Sequence, residues 1–321
     1  MTPEDIRNIL GADLEAVKDL VRSRLSSSVR LLQEVNTSLL DHSGKMLRPS
    51  LCLFMAKACG KVNDETRRFA AAVELLHNST LLHDDVADDS AFRRGVPTVM
   101  SLHGPVPAVL VGDFWLARSL DLVLGAKHSD WALSAFPKTL TDLSEGEMLQ
   151  QQKAFSCDTT EADYLQIIYG KTASLFELSC LSAARSTDAP EEVFKAAGEY
   201  GWALGLAFQI KDDILDYTGG DIGKPAGSDL TERKITLPLL GALSGAPQAL
   251  SVRKLVCSLP ENPENRQAIL DFVASRNGIA YAQDVLHAYI DAAIKALSPL
   301  PASRERQILE DFARFNEIRK K

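Results

Sequence analysis

Two aspartate clusters carry the strongest chemical signal in this chain. One is Asp84-Asp85-Val86-Ala87-Asp88, followed by Asp89; the other is Asp212-Asp213-Ile214-Leu215-Asp216. Both read DDxxD. On a helix, residues four apart share a face, so Asp84 points with Asp88 and Asp212 with Asp216. Like charges at that spacing repel. The first cluster also closes its helix just before the Arg93-Arg94-Gly95 loop, where acids oppose the helix macrodipole. A chain selected for stability alone avoids this arrangement. Divalent cations relieve it, and carboxylate oxygens suit hard Mg²⁺. A solvated acidic helix end is the alternative for either copy by itself. Two copies, set in LLHDDVADD and FQIKDDILDY, argue for divalent-cation sites at both clusters.

Cations gather near the first cluster. Arg93 and Arg94 follow it, and Lys45 and Arg48 stand upstream in GKMLRP. Arginine offers a planar fork that matches phosphate oxygens, and lysine a mobile point charge. Acidic metal sites beside separate cations suggest two phosphate-bearing groups, one bridged by metal and one held by side chains. Taken singly, each basic residue reads equally as surface charge. His77 lies two helical turns before Asp84 on the same face, and Gln209 one turn before Asp213. Lys171-Thr172 opens the apolar run KTASLF, where a buried lysine needs partners. Lys224 and Lys234 sit in TGGDIGKPAGSDLTERK. That stretch reads either as an ordinary loop or as one that closes over phosphates and excludes water.

The elements that must position these groups are helical. Leu14, Val17, Val21 and Leu25 recur near a 3.6-residue period, and Val29, Leu32, Val35 and Leu39 continue the stripe. Phe69, Ala72, Val73, Leu76 and Thr80 make another, and Ala282, Leu286, Tyr289, Ile290, Ala293 and Leu297 a third. No alternating β-branched run with a hairpin turn is present. The punctuation between helices contains no linker of the kind that separates independent domains. The chain therefore reads as one all-α domain over 1–321, a single large helical bundle.

Composition removes other classes. In 321 residues, hydrophobic types make up 45% and charged types 24%, which excludes disorder as the dominant state. No apolar run approaches the ~18 residues of a membrane span, and the acidic start MTPEDIRNIL lacks a secretory pattern. A net charge of −8 argues against nucleic acid as a partner. Five cysteines without a CxxC pair read as reduced core thiols of a cytoplasmic protein.

Read together, GKMLRP at 44–49, ELLHNSTLLHDDVADDSAFRRG at 74–95, GDFWLARS at 112–119, EGE at 145–147, KTASLF at 171–176, FQIKDDILDYTG at 208–219 and GKPAGSDLTERKITLP at 223–238 resemble the trans-isoprenyl diphosphate synthases in the expected order. The resemblance implies a helical fold around a deep cavity, usually a homodimer, joining isopentenyl diphosphate to an allylic diphosphate. It implies Mg²⁺ on both clusters, three ions once the allylic substrate is bound. It assigns Lys45, Arg48, His77 and Arg94 to isopentenyl diphosphate, and Arg93, Lys171, Thr172, Gln209, Lys224 and Lys234 to the allylic diphosphate. Met46, where relatives often carry a basic residue, and Arg233, where they often carry glycine, are departures. A terpene cyclase would replace the second cluster with a mixed Asn/Ser/Glu motif, and a non-catalytic partner subunit would be free to lose aspartates. In short-chain relatives a bulky aromatic stands just before the first cluster. Here Ser79 and Thr80 occupy those positions, with Ala72 further down. Small side chains there imply an open tunnel and a medium- to long-chain all-trans product, with transient membrane association at product release. The alternative is a farnesyl or geranylgeranyl diphosphate synthase, with Ser79 small only to let helices pack.

Overall fold

The apolar stripes become buried helix faces. Residues 3–42, 44–93, 95–219 and 227–319 are described by the structure, a computed structural model, with side chains from residue 9 onward. The first helices are α1 (Pro3–Arg24), α2 (Arg30–Asp41), α3 (Leu47–Cys59) and α4 (Asp64–Ala87). A minimal antiparallel hairpin follows, β1 (Phe92–Arg93) and β2 (Val96–Pro97), pairing Phe92 with Pro97 and Arg93 with Val96. Next come α5 (Val99–His103), α6 (Pro105–Leu124), α7 (Ser129–Ser156) and α8 (Glu161–Ile168). A π-helical turn, Tyr169–Ala173, joins α8 to α9 (Ser174–Ser186), and α10 (Glu191–Thr218) follows. The chain ends in α11 (Ser228–Thr231), α12 (Leu237–Leu243), α13 (Ala249–Cys257), α14 (Asn265–Ser275), α15 (Gly278–Ala296) and α16 (Arg304–Ile318). Apart from the hairpin, the described residues form no strands, as the periodicity predicts.

These helices form two compact units. One comprises Met1–Lys138, Leu178–Gly198 and Pro299–Leu309, and the other Thr139–Glu177, Glu199–Ser298 and Glu310–Lys321. In the first unit, α4 packs along α6 and against α3 and α1. Its start is well made: Asn63 accepts from the Thr66 amide, the Thr66 hydroxyl accepts from the Asn63 amide, and Asp64 and Glu65 sit in the first turn. Phe69 is fully buried, ring centroids 5.9 Å from Trp131 and 6.1 Å from Phe136. In the second unit, α12 packs on α15 and α14, and Phe176 of α9 stacks at 5.2 Å on Phe208 of α10.

Two expectations need correction. The first stripe does not run on through residue 29: α1 ends at Arg24, and Val29 caps the start of α2 with its side chain 60% exposed. The five cysteines are not all free thiols, since Cys157 and Cys257 form a disulfide and only Cys52, Cys59 and Cys180 are free. The partners lie 100 residues apart in sequence. Their meeting is a product of the folded arrangement of the ends of α7 and α13, and spacing carries no trace of it.

Candidate active site

The first cluster terminates α4. Asp88 is the residue past the last turn, its amide donating to the Asp84 carbonyl. Asp84 is half-buried, Asp88 exposed and Asp85 buried. Asp85 accepts from Arg93 Nε at 2.6 Å. Burial pushes its carboxyl up against the downward pull of the arginine, and the like charge of Asp88 acts in the same direction as burial. The hairpin brings Arg93 back across the helix end. Arg94 lies outside the described residues. Upstream on α4, His77 Nε2 is 3.0 Å from Arg48 Nη1, so two of the four residues expected on isopentenyl diphosphate meet. Lys45 is exposed just before α3.

The second cluster lies one turn inside the end of α10 and is far better supplied with donors. Asp213 is 3% exposed and Asp216 4%. Asp213 accepts from the Tyr164 hydroxyl at 2.7 Å and from Gln209 Nε2 at 2.9 Å. The Thr172 hydroxyl donates to Gln209 Oε1 at 2.7 Å, so Thr172, Gln209, Asp213 and Tyr164 form one chain of hydrogen bonds. Burial pushes the Asp213 carboxyl well up, and the charges of Asp229 and Asp212 act in the same direction. Asp216 accepts from the Ser228 hydroxyl and amide and from the Asp229 amide, and so ties the start of α11 to the cluster. Asp212 is paired at 2.7 Å with Arg319.

Lys171 and Thr172 ride on the π-helical turn. Wide turns of this kind recur at functional sites because they re-aim side chains. Here the turn presses onto α7 through two glycines. A Cβ on Gly170 would lie 2.5 Å from the Asp142 carbonyl oxygen and 2.8 Å from Gly146 Cα, so neither position has room for a side chain. The close approach sets Glu147 beside Lys171, with Oε2 2.5 Å from Nζ. Gln150 and Gln151 donate to its other oxygen. Burial acts to raise the Glu147 carboxyl, but Lys171, Gln151 and Lys234 together hold it below the usual range. Lys234 itself pairs with Glu232. Lys224 lies outside the described residues.

An open cavity of about 130 Å³ runs beside α4, over Glu74, Asn78, Leu82 and Asp85 and against Val21 and Trp115. Ser79, Thr80 and Ala72 are not among its lining. Ser79 and Ala72 are fully buried, and the Ala72 carbonyl accepts from the Ser119 hydroxyl of α6, where α4 and α6 pack closely. Tyr164, Ser228 and Arg319 were missed by sequence reasoning, and Glu147 was noticed only as part of EGE.

Residues 29–273 match the polyprenyl synthetase family. The chain is 37% identical over 320 residues to the all-trans-nonaprenyl-diphosphate synthase (geranyl-diphosphate specific) of Rhodobacter capsulatus, covering 97% of this chain and 96% of that one. It is 34% identical over 320 residues to the octaprenyl diphosphate synthase of Haemophilus influenzae, covering 98% and 96%. The crystal structure of a decaprenyl diphosphate synthase from Rhodobacter capsulatus superposes with a TM-score of 0.92 at 35% identity, over the full length of both chains. With the family match, the sequence identity and the helical architecture agreeing over nearly its whole length, the chain belongs to the polyprenyl synthetase family.

Proposed function

We propose that this chain joins isopentenyl diphosphate head to tail to an allylic diphosphate and repeats the step to a medium- to long-chain all-trans polyprenyl diphosphate. Membership of a prenyltransferase family carrying two DDxxD clusters is the observation that supports this most directly. The nonaprenyl, octaprenyl and decaprenyl synthases it resembles favour the longer product. The family match runs through segments of both compact units, which favours reading them as one functional domain.

The carboxylates fit Mg²⁺ as a donor set. Among the described residues no three Asp, Glu, His or Cys side chains gather into a ready cage. Mg²⁺ keeps several of its waters and completes its shell with substrate phosphates, so it needs no preformed protein cage. Asp84 and Asp88 would hold it from α4, and Asp212, Asp213 and Asp216 from α10. When bound, such ions neutralise charge on the departing diphosphate. The side chains do the rest. Arg93, Lys171, Lys234 and Lys224 bind the allylic diphosphate and stabilise it as it leaves. The oxygen of Thr172 faces the allylic cation, and Gln209 holds that hydroxyl in place. Arg48, His77, Lys45 and Arg94 orient isopentenyl diphosphate so that its double bond reaches the cation. Departing diphosphate takes the proton. The product is again allylic, so the cycle repeats.

A second copy of the chain would sit on α6, where Val106 and Leu110, four residues apart and so on one helix face, are 67% and 61% exposed. Among the described residues no helix is long and apolar enough to cross a membrane, which is compatible with a cytoplasmic enzyme that meets the bilayer only to release product. Purified protein given labelled isopentenyl diphosphate and a series of allylic primers should extend them in a Mg²⁺-dependent way to products longer than geranylgeranyl diphosphate. Absence of extension with every primer would overturn the assignment, and arrest at farnesyl or geranylgeranyl length would overturn the chain-length reading alone.

A further inference from the structure

The end of α16 docks onto the last turns of α10, and Arg319, just past that end, reaches the second aspartate cluster. Arg319 is 6% exposed, and each guanidinium nitrogen is engaged. Nε donates to Asn316 Oδ1 at 2.5 Å, Nη2 to the Phe208 carbonyl at 2.7 Å, and Nη1 lies 2.7 Å from Asp212 Oδ1. The plane also lies 4.0 Å over the Phe208 ring. Beside it, Lys211 Nζ donates to the Glu317 carbonyl at 2.7 Å. That bond already supplies the cation that the C-terminal end of α16 favours. Docking the helix therefore does not require a third arm on Asp212. The division of partners inside the cluster points the same way. Asp213 and Asp216 are served by hydroxyls, an amide side chain and backbone amides, all neutral donors, whereas Asp212, with 42% of its side chain exposed, receives a full positive charge.

We propose that Arg319 is the resting counter-cation of the second aspartate cluster, holding Asp212 until a divalent ion takes that carboxylate over. The inference rests on the reading of this cluster as a metal site. Without an ion, three neighbouring carboxylates repel one another, and a buried, hydrogen-bonded guanidinium offsets part of that repulsion. An ion approaching Asp212 meets an oxygen already in use and a like charge beside it, so Arg319 must yield or lose its bond. Arg319 is thus a positioning residue: it acts on the reaction only through Asp212, setting the Mg²⁺ concentration at which the site fills and supporting the fold before it does.

The test compares full-length wild type, Arg319→Gln, Arg319→Lys and Asp212→Asn. Mg²⁺ alone is titrated by calorimetry, and thermal midpoints are recorded in EDTA and in rising Mg²⁺. Arg319→Gln should lower the half-saturating Mg²⁺ at least threefold, lower the midpoint in EDTA and enlarge the gain on adding Mg²⁺. Arg319→Lys, which keeps the charge but loses the fork, should fall between. Should Arg319→Gln fail to fold, the shift in Arg319→Lys decides alone. Unchanged or weakened Mg²⁺ binding in the Arg319 variants, with Asp212→Asn weakening it strongly, would reduce Arg319 to a helix clamp and overturn the proposal. If Asp212→Asn leaves Mg²⁺ binding untouched, the metal reading of the cluster fails instead.

Discussion

The same five-letter pattern occurs twice in this chain in two different physical states. The first cluster sits at a helix terminus that is electrostatically wrong for it, with Asp88 exposed past the last turn and one arginine, Arg93, on Asp85. The second lies within α10, with Asp213 and Asp216 nearly inaccessible and held by Tyr164, Gln209, Ser228 and the Asp229 amide. The difference teaches that spacing determines which carboxylates share a face, while surroundings determine how much of the cluster is committed before substrate arrives. The first leaves Asp88 exposed past the helix end. The second is built into the fold, and its aspartates serve structure as well as chemistry.

Removing one aspartate from each cluster tests what they have in common, and the largest effects are expected there. Asp84→Ala and Asp212→Ala should each cut turnover by about a thousandfold or more, or about 4 kcal/mol of barrier, with the helical circular dichroism retained. Near-normal turnover in either variant would break the symmetry of the two clusters and remove the metal role from that one.

The next effect sharpens the asymmetry, because only α4 carries candidate chain-length positions. Ser79 is fully buried, its hydroxyl donating to the Leu76 carbonyl. A ring there takes volume that a packed interior does not readily give. Ser79→Phe should shorten the product by several prenyl units with the first condensation largely kept, as chromatography of the products would show. Because α4 packs closely on α6 nearby, the competing outcome is a drop in thermal midpoint with product length unchanged. That result would assign Ser79 to helix packing.

Stability separates the clusters more finely. Asp216→Asn keeps the shape but removes the charge that accepts two backbone amides and a hydroxyl, and charge-assisted bonds to buried carboxylates are worth about 1.5–3 kcal/mol. A loss of about 2–3 kcal/mol in urea unfolding is expected. Asp85→Asn should stay within about 0.5 kcal/mol, since burial already works against that charge and the partly exposed Arg93 can turn to water. Equal losses would mean that the first cluster is as firmly built in as the second.

Much of this was legible in the chain because the governing geometry is local. Asp84 with Asp88, Gln209 with Asp213 and His77 with Asp84 follow from helix periodicity, and the helical fold from stripes such as Leu14, Val17, Val21 and Leu25. Lys171 and Thr172 stood out as polar residues opening an apolar run. What stayed hidden depends on distant meetings. Tyr164 lies 49 residues before the carboxylate it serves, Cys157 lies 100 residues before Cys257, and Arg319 looks like any basic chain end until α16 is docked. The π-helical turn is equally silent, since YGKTA satisfies an α-helix as well, and only the backbone contact of Gly170 with Gly146 and Asp142 shows why the turn widens.

The subtlest comparison concerns two ion pairs that look alike and titrate in opposite directions. Arg93 sits on Asp85, yet that carboxyl is raised; Lys171 sits on Glu147, and that one is lowered. Burial opposes the charge in both. It prevails at Asp85, where Asp88 joins it, and loses at Glu147, where Lys171 and Lys234 add their charges and Gln151 a hydrogen bond. A carboxyl depressed on folding contributes stability above its unfolded pKa, and that contribution disappears as pH falls through the folded value. Glu147→Gln should therefore cost about 1 kcal/mol at pH 7, with the gap to wild type closing as the solution is taken below the usual glutamate range. Urea unfolding of both proteins from pH 7 down to the lowest pH at which they remain folded would measure it. A gap that persists at the acid end would mean that Glu147 acts through packing against the turn rather than through its charge on Lys171.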